Sequence, residues 1–311
     1  MITTVTLNPM LDKTVYVEPI QKGKVHRASK VESVVGGKGV NVSRQLKKLG
    51  CETMATGFLG GEIGSMLERM LTEEGISHEF VRLAGMTREG VTYCHPDGSF
   101  TAVFEPPHEV QIEEAHLLVN HCTELLARSA WVVCSGSSPS TRTDDVFATI
   151  IGLARQRQVR TVLDSYGAAF TLALDALPSV VKLNKDEYEL TMRKSLTTES
   201  DYQSALKEWI GRGIEFCMIT DGPRPMYAAT KEEVWRTVPP QVLTKNSTGS
   251  GDSFIAGFLY GLERQWTFER CLSFAVAAGA ANARKREVAC STLEEIQELV
   301  YNVNMTRLSP D

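Results

Sequence analysis

No stretch of the 311-residue chain approaches the run of about 18 apolar residues that a membrane-spanning helix requires, so contact with a membrane is not expected. Signals for paired cysteines are missing too. Cys51, Cys94, Cys122, Cys134, Cys217, Cys271 and Cys290 are odd in number, widely spaced and free of any Cys-x-x-Cys. Such a set reads as reduced thiols in a cytoplasm, and residues 1–7 have neither the basic start nor the long apolar stretch of a signal peptide. The six histidines form no His-Glu-x-x-His, which argues against a catalytic zinc site. Excess positive charge is also absent. With 33 Lys and Arg against 38 Asp and Glu, the formal charge is −5, and nucleic acid is not an expected partner. Any phosphate must be met by a local site.

What is present is a 42% hydrophobic composition, and at this length a folded chain buries roughly three-quarters of the surface its unfolded form exposes. Residues 2–7 read as a buried opening strand, as do the apolar runs at 131–134, 161–163, 180–183 and 216–219. Helical stripes lie between them. Ile112, Ala115, Val119, Cys122 and Leu126 form one, and Val146, Ile150, Ile151 and Ala154, after Asp144 and Asp145, form another. Alternation of strand and helix predicts a parallel sheet covered on both faces. Two stretches break it: 13–17 with 27–35, and 90–94 with 99–104, are strand-like runs without helices. They read as a small β lid built from two chain segments, about residues 12–35 and 87–105. From Gly251 the chain reads as helical to its end.

Two glycine clusters carry the chemistry. In Asn246-Ser247-Thr248-Gly249-Ser250-Gly251-Asp252-Ser253, glycines around a serine let backbone N–H groups converge at a helix start, forming an anion cradle with the carboxylate of Asp252 beside it. That carboxylate could deprotonate a hydroxyl held against the anion; a plain helix cap is the bland alternative. The second cluster, Gly36-Gly37-Lys38-Gly39-Val40-Asn41, is not a P-loop, because Glu32 stands at the first glycine position and Gly39 follows the lysine. Nor is it a dinucleotide fingerprint, because Val42 replaces the third glycine. Its polar groups suit a polyol, or else form a glycine-rich turn.

Together the clusters resemble the two signature regions of the ribokinase-like (PfkB) carbohydrate kinase family. The opening Thr6-Leu7-Asn8-Pro9-Met10-Leu11-Asp12 is similar to the branch containing 1-phosphofructokinase and tagatose-6-phosphate kinase. Ser135-Gly136-Ser137, Asp164, Lys182-Leu183-Asn184 with Glu187, Thr220-Asp221-Gly222, Pro239-Pro240 and Ala280-Ala281-Asn282-Ala283 extend the likeness nearly end to end. The resemblance implies a three-layer α/β/α sandwich with a mainly parallel central sheet and a small β-sheet lid, in a single kinase domain over residues 1–311. It implies transfer of the ATP γ-phosphoryl group, with Mg²⁺, to a hydroxymethyl group of a ketohexose phosphate. Asp252 then matches the catalytic base and Gly249, Ser250 and Gly251 the anion hole. Asp12, Gly37 and Asn41 match sugar-hydroxyl contacts, Lys38 and Arg88 lie near the substrate's phosphate, and Ser137 falls in the sugar-site loop. Asn184 and Glu187 match the element that orders Mg²⁺, through water, and the nucleotide phosphates. Thr220, Gly222 and Asn282 match the nucleotide rim. Asn184 with Glu187 could equally be a helix-capping pair.

The chain also departs from the branch. Phe104-Glu105-Pro106-Pro107-His108 stands in place of an Asn-containing segment ending in Gly-Pro, Glu89-Gly90 follows Thr87-Arg88, and Ser138 stands where leucine is usual. These changes fall near the sugar pocket and lid. A kinase for an unphosphorylated sugar or nucleoside, or a catalytically silent sugar-binding regulator, are the alternatives. An exposed lid sheet would seek cover, so a homodimer joined through it is expected.

Overall fold

The computed structural model describes residues 1–308; the last three residues of the expected 1–311 domain lie outside them. The chain begins with β1 (Ile2–Thr6), β2 (Met10–Tyr16) and β3 (Lys30–Gly36), then α1 (Lys38–Lys48), β4 (Thr53–Gly60), α2 (Gly61–Glu73) and β5 (Val81–Leu83). After β6 (Arg88–Cys94) and β7 (Phe100–Phe104), helices and strands alternate. They are α3 (Ile112–Leu126), β8 (Trp131–Ser135), α4 (Val146–Gln156), β9 (Arg160–Asp164), α5 (Gly167–Asp175) and β10 (Val180–Asn184). Two helices, α6 (Lys185–Met192) and α7 (Glu199–Gly211), precede β11 (Phe216–Thr220), β12 (Met226–Ala229) and β13 (Val234–Val238). The chain closes with α8 (Ser250–Glu263), α9 (Phe268–Ala283), α10 (Leu293–Val300) and β14 (Asn304–Leu308).

Ten strands form one sheet in the order β14-β13-β12-β11-β10-β9-β8-β1-β4-β5, parallel from β11 through β5 and antiparallel beyond β11. The parallel strands β1 and β8 are buried at every position, because helices cover both faces. Residues of α3, α4, α5, α6 and α7 pack on one face around Phe147, Phe170 and Trp209, and those of α1, α8 and α9 pack on the other around Phe258 and Leu272. The helical expectation for the chain after Gly251 fails at its end. Asn304–Leu308 is a strand, made so by backbone pairing with β13 and not by any apolar alternation of its own.

β3, β2, β6 and β7 make a separate four-stranded sheet. Its two hairpins join through the parallel β2–β6 pair, which sets Met10 beside Arg88 and Asp12 beside Gly90. In the large sheet the chain runs outward in opposite directions from the β8–β1 pair. Such a switch point leaves a crevice at the carboxyl ends of the strands, the ordinary ligand position in open α/β sheets.

Candidate active site

The carboxyl ends of the strands deliver polar groups to that crevice. Beyond β1, Asn8 donates from Nδ2 to Ser137 Oγ, beyond β8, at 3.1 Å. At the end of β9, Asp164 is fully buried, accepting from Lys182 Nζ of β10 at 3.2 Å, Ser135 Oγ at 3.2 Å and Lys38 Nζ at 3.4 Å. Burial by itself would raise the Asp164 carboxyl, but the two ammonium groups and the hydrogen bonds from Lys182 and Ser135 hold it below the usual range.

Helix α1 enters the crevice by its N-terminus, which needs glycine. Gly37 has φ +136°, and a Cβ there would lie 2.8 Å from Thr6 Cγ2; one on Gly39 would lie 2.4 Å from Thr6 Oγ1. The close approach to β1 places Asn41 so that its Nδ2 donates to Asp252 Oδ2 at 2.8 Å, while Arg44 Nη1 donates to Asn41 Oδ1 at 2.7 Å and fixes the amide. Lys38 Nζ donates to Glu187 Oε1 at 2.6 Å and lies 5.9 Å from the centre of the Tyr166 ring. Burial works against its charge, yet Asp164, Glu187 and Asp252 keep Lys38 firmly protonated.

Helix α8 begins at Gly249 (φ +79°), where a Cβ would meet Val288 Cγ1 at 2.3 Å, and no side chain caps its first turn. The Ser250 N–H is used in a turn to Ser247 O, so the Gly251 and Asp252 amides form the open part of the cradle. A Cβ on Gly251 would lie 2.7 Å from Lys182 Nζ, so that ammonium stands directly over the helix start. Asp252 is 5% exposed. Burial, reinforced by Asp164, pushes its pKa up to about 6 against the pull of Lys38, Asn41 and Lys182.

Asn184 and Glu187 do form a capping box: Glu187 N–H donates to Asn184 Oδ1 at 2.8 Å and Asn184 N–H to Glu187 Oε2 at 3.1 Å. Thr220 is paired with Asn184 in the sheet, and Gly222 follows with φ +55°. Asn282 is spent inside the protein, donating to Thr248 O and Ser250 Oγ and accepting from Ala289 N–H. It ties the cradle loop to the end of α9. On the small sheet, the Asp12 side chain has no hydrogen bond or ion pair among the described residues, and burial raises its carboxyl. Arg88 lies within electrostatic reach of Tyr166, the ring that Lys38 approaches.

Lys182 and Asp164 were legible in the sequence only as parts of motifs. The pair they make had no local signal.

Among the described residues no group of three or more His, Cys, Asp or Glu could hold a metal ion. Single carboxylates beside an anion cradle nevertheless suit Mg²⁺, which keeps several waters and takes its other oxygens from substrate phosphates. Both Glu187 oxygens are already engaged, which fits contact through water.

The large, mostly parallel sheet with its small separate sheet is the ribokinase-like fold, and the family match and relatives that follow make the chain a phosphotransferase that acts on an alcohol group. The sequence profile of the pfkB family of carbohydrate kinases matches residues 5–295, and the chain belongs to that family. A tagatose-6-phosphate kinase of Staphylococcus epidermidis is 29% identical over 308 residues, covering 98% of this chain and 99% of that protein. A crystal structure described as a possible 1-phosphofructokinase of Thermotoga maritima superposes with a TM-score of 0.91 at 27% identity, covering 99% of this chain and all of that one. Phosphofructokinase-2 of Escherichia coli in complex with fructose-6-phosphate superposes with a TM-score of 0.86 at 25% identity, covering 96% and 98%. Among the described residues no helix is long and apolar enough to cross a membrane.

Proposed function

We propose that the protein transfers the γ-phosphoryl group of ATP to a hydroxymethyl group of a ketohexose phosphate, fructose 1-phosphate or tagatose 6-phosphate being the acceptors its relatives suggest. The observation that carries the reading is the buried Asp252 carboxylate at an uncapped helix start with Lys182 above it. Asp252 takes the proton of the acceptor hydroxyl, whose oxygen bonds to the γ-phosphorus as the bond to the ADP oxygen breaks. The Gly251 and Asp252 amides and the Lys182 ammonium face the charge on the transferring group. Mg²⁺ bound with the nucleotide supplies charge neutralisation at the phosphates. Asn184, Glu187, Thr220 and Gly222 border the nucleotide, while Asp12 and Asn41 receive the sugar hydroxyls. The small sheet acts as a lid that excludes water, and so limits loss of ATP to hydrolysis.

Arg88 holds the phosphate that the acceptor already carries. A charge-assisted contact contributes on the order of 1.5–3 kcal/mol, so Arg88→Ala should lower kcat/KM for the sugar phosphate by roughly 10- to 150-fold more than for the unphosphorylated sugar. ATP consumption across both kinds of acceptor measures this. Equal losses on both would assign Arg88 to folding or lid structure. The engagement of Lys38 by Glu187 and Asp164 favours a second reading, a kinase for an unphosphorylated sugar, because it leaves Arg88 without that lysine's help. A wild-type preference for unphosphorylated acceptors would establish it.

Val31, Phe100, Val103 and Phe104 of the small sheet are exposed, and a second copy covering them would make a homodimer. Sedimentation equilibrium should find a dimer that Val103→Asp weakens; a wild-type monomer at micromolar concentration rejects it. Seven free cysteines suit work in a reducing cytoplasm.

A further inference from the structure

The segment after β7 brings a histidine to the base of the small sheet that the reaction described above does not use. His108 is half-buried, and both of its ring nitrogens are shut off from solvent without a hydrogen-bond partner among the described residues. Arg88 Nε is in the same condition, and Arg88 Nη1 reaches only the Glu105 carbonyl, at 3.5 Å. Buried polar nitrogens are nearly always satisfied, and an orphaned guanidinium N–H with an imidazole that has an N–H to donate asks for an acceptor from outside the chain. The carboxylate that faces His108, Glu114 of α3, cannot fill that role. Its oxygens already accept from Ala84 N–H at 2.7 Å and Gln111 N–H at 2.8 Å, capping the helix.

The two side chains are electrostatic neighbours. Burial lowers the imidazole's proton affinity first, the Arg88 guanidinium lowers it further, and Glu114 on α3 partly opposes them. An anion set between Arg88 and His108 would reverse that balance and accept from the Arg88 Nε–H and one imidazole N–H together. Arg88 in turn lies near the Tyr166 ring beside Lys38, so an anion there would sit on the approach to the reacting groups.

We propose that His108 is a specificity-determining residue, binding with Arg88 the phosphate that the acceptor brings to the reaction. This rests on the sugar-phosphate reading above. The imidazole donates one hydrogen bond to a phosphate oxygen beside the guanidinium, and no bond is made or broken there.

The test is steady-state kinetics of wild type, His108→Ala and His108→Gln on the better of fructose 1-phosphate and tagatose 6-phosphate, and on the matching unphosphorylated sugar. His108→Ala should raise KM for the sugar phosphate roughly 10-fold or more, the size of one hydrogen bond to a charged group, with the loss in KM and not in kcat. The amide of His108→Gln should restore part of it. Wild-type KM for the sugar phosphate should rise with pH as the imidazole loses its proton, and that rise should flatten in both variants. Inorganic phosphate should compete with the sugar phosphate, more weakly in both variants. Unchanged KM and unchanged phosphate inhibition in the variants overturn the role of His108 while leaving the sugar-phosphate reading intact. A wild type indifferent to the acceptor's phosphate, and not inhibited by inorganic phosphate, overturns both.

Discussion

Asp252→Asn is expected to lower kcat by roughly 10²- to 10⁴-fold while leaving KM for both substrates nearly unchanged, because the amide keeps the shape of the carboxylate but cannot take a proton. The pH profile gives an independent check. With the Asp252 pKa pushed up to about 6 by burial, the base is increasingly protonated below that pH. Wild-type kcat/KM should therefore fall about tenfold per pH unit on the acid side of 6 and level off above it. The stability expectation has the opposite sign from a folding defect. A carboxyl whose folded pKa is raised contributes least to stability once pH exceeds that pKa, since the buried charge is then a cost. The neutral Asn lacks that cost, so the variant should melt no lower than wild type at pH 7–8. Near-normal turnover in a folded Asp252→Asn protein would remove Asp252 from the role of base.

The second large effect is on folding. Asp164 is fully buried and Lys182 is 2% exposed, and their ion pair is completed by Lys38, which is also held by Glu187. Asp164→Ala would leave the Lys182 ammonium buried with no carboxylate bonded to it. Removal of one partner from such a pair typically costs about 3–5 kcal/mol, which denaturant unfolding would read directly. Asp164→Asn keeps an oxygen for Lys182 and Ser135 and should cost less. Because the Asp164 pKa is held below its ordinary value, its contribution is present above an unfolded pKa of about 4 and is lost as pH falls further. The stability gap between wild type and Asp164→Asn should accordingly narrow in acid. A gap independent of pH would show that shape, and not charge, sets the cost.

Much of the scaffold was legible because its signals are local. The stripes of α3 and α4 repeat at helical spacing, and β8, β9, β10 and β11 stand out as apolar runs, since strands covered on both faces need apolar side chains on both. β14 had no such signal. Three of its five residues are exposed or polar enough to read as loop, and its identity comes from the edge strand it pairs with. Asn184 and Glu187 form the capping box that the sequence offered, and the contact of the same carboxylate with Lys38 had no local signal.

Local chemistry in the sequence by itself determined the glycine-rich start of α8, the carboxylate beside it and the two-segment small sheet. A helix start and a hairpin are each decided within a few residues by φ preference, turn chemistry and unsatisfied amides. Only the tertiary structure decided that Lys38 reaches Glu187, 149 positions away, and that Asn41 holds Asp252, 211 positions away. Those contacts arise because a parallel sheet gathers the carboxyl ends of distant strands at one edge. The burial that follows shifts each group's charge, and no property of the single residue encodes that environment.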